Sequence, residues 1–152
     1  MRPRLPPVAF LRRSCAAVAL VLPCASALAV NWVPLGQTGE PGDLVVASAD
    51  LDSVRMREGL RQAWVRYDFD RPGEIEGLPH RSAQLLMHYD CERQVSTFSH
   101  LQAFEKPKAE GRLVYERSWS RSFDPAELKP DRPGSLAHEV LQKVCAATPR
   151  RR

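Results

Sequence analysis

Four histidines, a pair of closely spaced aspartates and two well-separated cysteines are the residues with which this chain could do chemistry. His80, His88, His100 and His138 are the candidates for a general base or a metal ligand. No two of them stand four apart, as two zinc ligands on one helix face would, and none lies in a Cys-x-x-Cys frame, so a zinc site has little support. His88 and Asp90 fall on one side of an extended segment and could both reach a metal; solvated residues on an outer sheet face are the plainer expectation. Asp50 and Asp52 could act as paired carboxylates, but Asp50-Leu-Asp-Ser53 is a turn, where aspartate caps backbone amides. Cys91 beside a histidine base would be a thiol nucleophile, a reading that competes with a disulfide. The 8 glycines build no phosphate loop, nucleophile elbow or kinase signature. No catalytic, cofactor or metal residue is assigned. The enzyme alternative is a small periplasmic hydrolase in which His88 or His100 meets a carboxylate in a cleft.

Binding features are equally sparse. Lys106, Lys108, Arg112, Arg117 and Arg121 form a basic segment suited to heparin-like partners, but Glu105, Glu110 and Glu116 are interspersed, as on a solvated mixed face. Trp64 and Trp119 are candidate anchors for a partner, with core packing as the competing role.

The charge balance depends on the first 29 residues. Arg2, Arg4, Arg12 and Arg13 precede the apolar run Cys15–Leu22, a breaker at Pro23, and Ala27-Leu-Ala29, a small-x-small cleavage site. Residues 1–29 are therefore expected to be a secretory signal peptide, cut between Ala29 and Val30. The run is too short for a transmembrane helix, which needs about 20 apolar residues, so no integral span is expected in the mature protein. Arg12-Arg13 lacks a following Phe-Leu, which favours general secretion over the twin-arginine route. Lipidation of Cys24 requires a small residue before it and finds Pro23.

The chain has 152 residues with 22 Lys+Arg and 18 Asp+Glu; the leader removes four arginines and no acid, leaving 123 residues with balanced charge. A nucleic-acid partner loses its electrostatic support. Export also leaves Cys91 and Cys145 as an even pair in an oxidising compartment, and a disulfide between them is expected. The folded domain is expected over 30–147, with a basic tail over 148–152 that is expected to be disordered.

These residues need elements to position them. Leu44–Ala47 reads as a short strand before the aspartate turn. Over Leu60–Phe69, Ala63, Val65, Tyr67 and Phe69 share one face and Gln62, Trp64 and Arg66 the other, a strand of period two. Asp70–Pro79 reads as a loop punctuated by Pro and Gly. Ser82–Cys91 repeats the alternation, with Ala83, Leu85, Met87, Tyr89 and Cys91 on the apolar side. Glu92–Leu101 and the segment holding Leu113, Tyr115 and Trp119 supply further strands. Asp124-Pro-Ala-Glu127 suggests a capped helical turn. From Ser135 a helix places Leu136, Val140, Leu141, Val144 and Cys145 on one stripe. The fold class is α+β: an antiparallel sheet of about five or six strands, with a C-terminal helix clamped to its apolar face by the disulfide. Two such sheets could pair edge to edge as a homodimer.

Asn31-Trp32, Asp50-Leu-Asp-Ser53-Val-Arg55, Ala63-Trp64, Tyr89-Asp-Cys91, Trp119, Pro133-Gly-Ser135 and Val144-Cys145, in this order, resemble the bacterial surface-adhesin protein E family. The resemblance implies a small exported domain, at the cell surface or in the periplasm, that binds host extracellular-matrix and serum proteins without enzymatic activity or cofactor. It carries no ligand-binding position over to this chain. A soluble periplasmic binding, inhibitor or accessory module of an envelope complex is the alternative.

Overall fold

The alternating segments around Trp64 and Leu86 become two long antiparallel strands that form the spine of the sheet. The computed structural model describes residues 30–119 and 129–150. Its strands are β1 (Trp32–Thr38), β2 (Val45–Asp50), β3 (Arg55–Arg57), β4 (Leu60–Ile75), β5 (Leu78–Asp90), β6 (Val95–Phe104), β7 (Leu113–Ser118) and β8 (Lys129–Pro130). They pair in the order β1-β2-β4-β5-β6-β7, with β3 on β4 and β8 on β6, and every pairing is antiparallel. The expected sheet of five or six strands is this six-strand path; β3 and β8 are short additions.

One face is covered by α1 (Leu136–Ala146). Its Val140, Leu141 and Val144 pack on Ala47, Ala49, Ala63, Val65, Met87 and Tyr89. The alanines let the helix approach the sheet closely, and β1 goes further. A Cβ at Gly36 would collide with the carboxylate of Glu139 and stand 3.0 Å from Leu136 Cδ1, so the helix rests on bare backbone there. Ser135 caps the helix by accepting from the His138 N–H at 3.2 Å. At the other end the Arg61 guanidinium donates to the carbonyls of Val144 (3.2 Å) and Ala147, holding positive charge where the helix dipole is negative.

The Cys91–Cys145 disulfide joins the end of β5 to the last turn of α1, so Cys91 is not a thiol nucleophile. Beyond the helix, the Arg150 N–H donates to Val54 O at 2.9 Å and its guanidinium pairs with Asp52 at 2.8 Å. The first arginine of the tail expected to be disordered is thus held against the turn between β2 and β3. Arg151 and Arg152 lie outside the described residues, as do Arg121 and the Asp124–Glu127 turn.

Asp70–Pro79 is not a loop. β4 and β5 continue into it and form a two-stranded arm, Gly73 pairing with His80, Glu74 with Pro79 and Ile75 with Leu78. Pro72 falls in the irregularity between Asp68 and Gly73, where no ladder N–H is required. Glu76 (φ 51°) and Gly77 (φ 77°) make the tight turn. β2 pairs with β4 only as far as Phe69, and β6 with β5 only from Ser82, so the arm stands beyond both neighbours. The His80 ring lies over Gly73, within 3.0 Å of where a Cβ would be, and meets Phe69 edge to face.

β6 starts three residues later than expected because the Asp90 carboxylate accepts from the N–H groups of Glu92 (3.1 Å) and Arg93 (3.0 Å) and folds a turn there. Trp119 follows β7 rather than standing in it.

Candidate functional site

The sheet face opposite α1 carries Gln62, Trp64, Arg66 and Asp68 from β4, with Ser82, Gln84, Leu86 and His88 from β5. Strand alternation alone puts these residues there. Among the described residues no helix covers this face. The turn Pro107–Ala109 closes one end, where Ser82 Oγ donates to Lys106 O (2.6 Å) and accepts from the Ala109 N–H (2.9 Å).

At its centre is a buried polar knot. His88 is 2% exposed; its Nε2 lies 2.8 Å from Ser99 Oγ and 3.5 Å from Gln62 Nε2. Gln62 Oε1 in turn accepts from Arg55 Nε at 2.6 Å. The expectation that His88 and Asp90 are solvated outer-face residues is therefore corrected for His88. Pairing with β4 and β6 on both sides encloses a ring that periodicity alone places toward solvent. Burial first, then the charges of Arg57 and Arg55, press the His88 imidazole down to about pKa 4, so it is neutral at pH 7. Under α1, burial raises the Tyr67 hydroxyl to about 12, with help from Asp131, and holds Tyr89 well above its ordinary value.

Next to the knot, His100 meets a carboxylate. His100 Nε2 is 3.0 Å from Glu116 Oε1, and Ser118 Oγ is 2.8 Å from His100 Nδ1. Glu116 Oε1 also accepts from Gln102 Nε2 at 2.9 Å. The connectivity is that of a nucleophile, base and orienting acid. The setting differs from a hydrolase: the three stand on the flat face of paired strands, and the N–H that follows Ser118, on Trp119, is taken by Ser99 O at 2.8 Å. An oxyanion hole built on that amide is excluded.

Trp64 is a wall of this site and not a core residue. Its ring meets His100 edge to face at 5.5 Å, and its backbone N–H is satisfied by Ser53 Oγ at 3.1 Å. Together with Leu86, Arg55, Asp52 and Arg150 it lines a half-open cavity of about 320 Å³. Trp32 adds a second indole at the edge, with the Arg66 guanidinium 4.8 Å from its ring centre and Asp68 pairing Arg66 at 2.9 Å. Trp119 instead meets Phe98 edge to face and Arg117.

Of the other candidates, Asp50 caps the Asp52 N–H at 3.1 Å, as its turn predicts, and Asp52 pairs with Arg150. These carboxylates do not work as a pair. Among the described residues no group of three or more His, Cys, Asp or Glu could hold a metal ion, and no helix is long and apolar enough to cross a membrane. Sequence reading missed Arg55, Ser99 and Arg150. Ser99 reaches His88 only because a register shift opposite Leu86 and Met87 turns it to this face, and no composition signal marks that.

The geometry defines a two-layer α+β domain: one sheet face backed by a disulfide-clamped helix, the other covered by no helix among the described residues and lined with polar and aromatic side chains. The description "Surface-adhesin protein E" matches residues 32–146, from the first residue of β1 to the last of α1, and the chain belongs to that family. No match is found among curated proteins or among solved structures.

Proposed function

We propose that this chain is an exported, non-enzymatic protein-binding domain of the bacterial envelope, an adhesin for host extracellular-matrix or serum proteins. The observation that carries the reading is the extent of the family match, which runs over both sheet and helix and includes both disulfide cysteines. The leader belongs to the same proposal: cleavage after Ala29 would start the mature protein at Val30. The Trp119 N–H beside Ser118 is taken by Ser99 O, which favours binding over hydrolysis.

Protease shaving of intact cells, beside an osmotic-shock fraction and mass spectrometry of the mature N-terminus, tests location. A chain starting at Val30 that is removed by shaving intact cells, and that binds immobilised matrix or serum proteins, is the expected result. Release by osmotic shock with no loss on shaving would refute surface display and favour the soluble periplasmic module. Leu22-Pro-Cys24, a poor lipidation sequence, is the observation on that side. β1 and β7 are the edges of the sheet path, and edge-to-edge pairing into a homodimer is part of the proposal. Light scattering that finds only monomer at high concentration removes it.

A further inference from the structure

The cavity opposite α1 brings three recognition chemistries together. Trp64 and Leu86 give it an apolar floor, while Arg55 and Arg150 put two guanidinium groups on its wall against one carboxylate, Asp52. Arg55 is held by its Nε on Gln62, and Gln62 is 1% exposed, so its orientation is set by a side chain locked in the sheet. That bond engages Nε alone. The two Nη groups form the fork with which arginine takes a carboxylate bidentately. Arg150 is placed by its backbone bond to Val54 and its pair with Asp52. Beside the floor, the row of cross-strand neighbours continues from Leu86 to His100 and Ser118, a strip of hydroxyl, imidazole, amide and carboxylate groups.

A ligand matching all of this has a carboxylate for the fork, an apolar face for the indole and hydroxyls for the strip. A pyranose carrying a carboxylate has these features on one ring. Its C–H face stacks on an indole as other apolar surfaces do, and its hydroxyls pair with planar polar side chains. An aryl or fatty carboxylate would bring no hydroxyls to the strip, whose groups pair with one another in its absence, and a neutral sugar would leave the fork unmatched. The volume, about 320 Å³, lies at the small end of the roughly 300–1,000 Å³ usual for ligand pockets and suits one substituted ring. We propose that the cavity lined by Arg55, Trp64, Leu86 and Arg150 binds an acidic saccharide, with the carboxylate on the arginines and the ring on Trp64.

The site stands on its own geometry, so protein binding by this chain is neither required by it nor refuted with it. Calorimetry and saturation-transfer NMR on the oxidised full chain test it with three probes: a hyaluronan tetrasaccharide for uronates, 3′-sialyllactose for sialates and chitotetraose as the neutral control. One of the acidic probes is expected to bind, and chitotetraose about tenfold more weakly or not at all. Trp64→Ala and Arg55→Gln should each weaken the acidic probe by about tenfold or more. Arg150→Gln, which disturbs no buried group, should weaken it by about threefold or more and keeps the test valid if Arg55→Gln disturbs the Gln62 and His88 knot. Arg112→Gln, at the distant turn, should change nothing. Equal affinity for chitotetraose, no binding of either acidic probe at millimolar concentration, or wild-type affinity in Trp64→Ala or in both arginine variants overturns the assignment.

Discussion

Opening the Cys91–Cys145 disulfide is expected to cost the domain a large share of its margin of stability while sparing the centre of the sheet. The bond closes a loop of 54 positions. For a loop of that length the chain-entropy relation gives a stabilisation of about 4 kcal/mol, against the roughly 5–15 kcal/mol of a whole domain. In the folded state it pins the last turn of α1, where Val144 is fully buried. The helix retains other attachments: the Ser135 cap, Val140 and Leu141 in the core, and Arg61 on its final carbonyls. Reduction should therefore loosen the helix without detaching β5 from β4 and β6. The perturbation is Cys91→Ala with Cys145→Ala, which leaves no lone thiol. With a urea slope of about 2 kcal/mol/M, the midpoint should fall by about 2 M. In native buffer, amide exchange over 136–147 should rise by an order of magnitude or more, while the central amides of β4 and β5 change far less. An unchanged midpoint with unchanged protection of the helix would refute the clamp. Exchange rising equally in sheet and helix would refute the claim that the two are separable.

Acid should weaken the fold through His88. The native imidazole titrates near 4, below its unfolded value of about 6.5, so only the unfolded chain takes up a proton between those values. This stability is complete above pH 6.5 and is lost as pH falls toward 4, by about 3 kcal/mol in all. Urea melts of wild type and His88→Gln at pH 7 and pH 4.5 check it: the variant should lack this part of the acid loss, and parallel losses would refute the assignment. Arg61→Met removes the donors to Val144 and Ala147 and should cost about 2 kcal/mol, read as faster exchange at the C-terminal turn of α1 and a lower melting temperature.

The apolar patterns that mark β4, β5 and α1 are legible because all three are half-buried elements with one dry face. The same patterns put both cysteines on the dry side, which makes the clamp legible too. β1 is not legible: Pro34 and Gly36 interrupt Trp32–Thr38, and both are tolerated there because the strand is an edge and because α1 occupies the space above Gly36. The arm was concealed by Pro72, Gly73, Gly77 and Pro79, which read as loop punctuation but sit at a register shift, a turn and unpaired edges. At the site, the face of Trp64 and Gln62 follows from parity. The burial of His88 depends on neighbours on two other strands. The cavity depends on Arg150 returning to Asp52 across nearly a hundred residues of sequence, a closure that no local pattern encodes.

The β4–β5 arm also bears on how copies of the chain meet. Beyond the Asp70 N–H bond to Leu44 O it is a ribbon of two strands whose outer edges have no ladder partner among the described residues, tied to β7 only by the Tyr115 hydroxyl on Glu76, and such a ribbon invites zippering with its counterpart on a neighbouring copy. Its composition opposes that. Pro72 and Pro79 delete amide donors, and Glu74 and Glu76 set like charges face to face whenever two arms approach. Replacing the two prolines and two glutamates with valine and threonine is therefore expected to let two arms pair, read as aggregation of the native protein by light scattering where the wild type shows none.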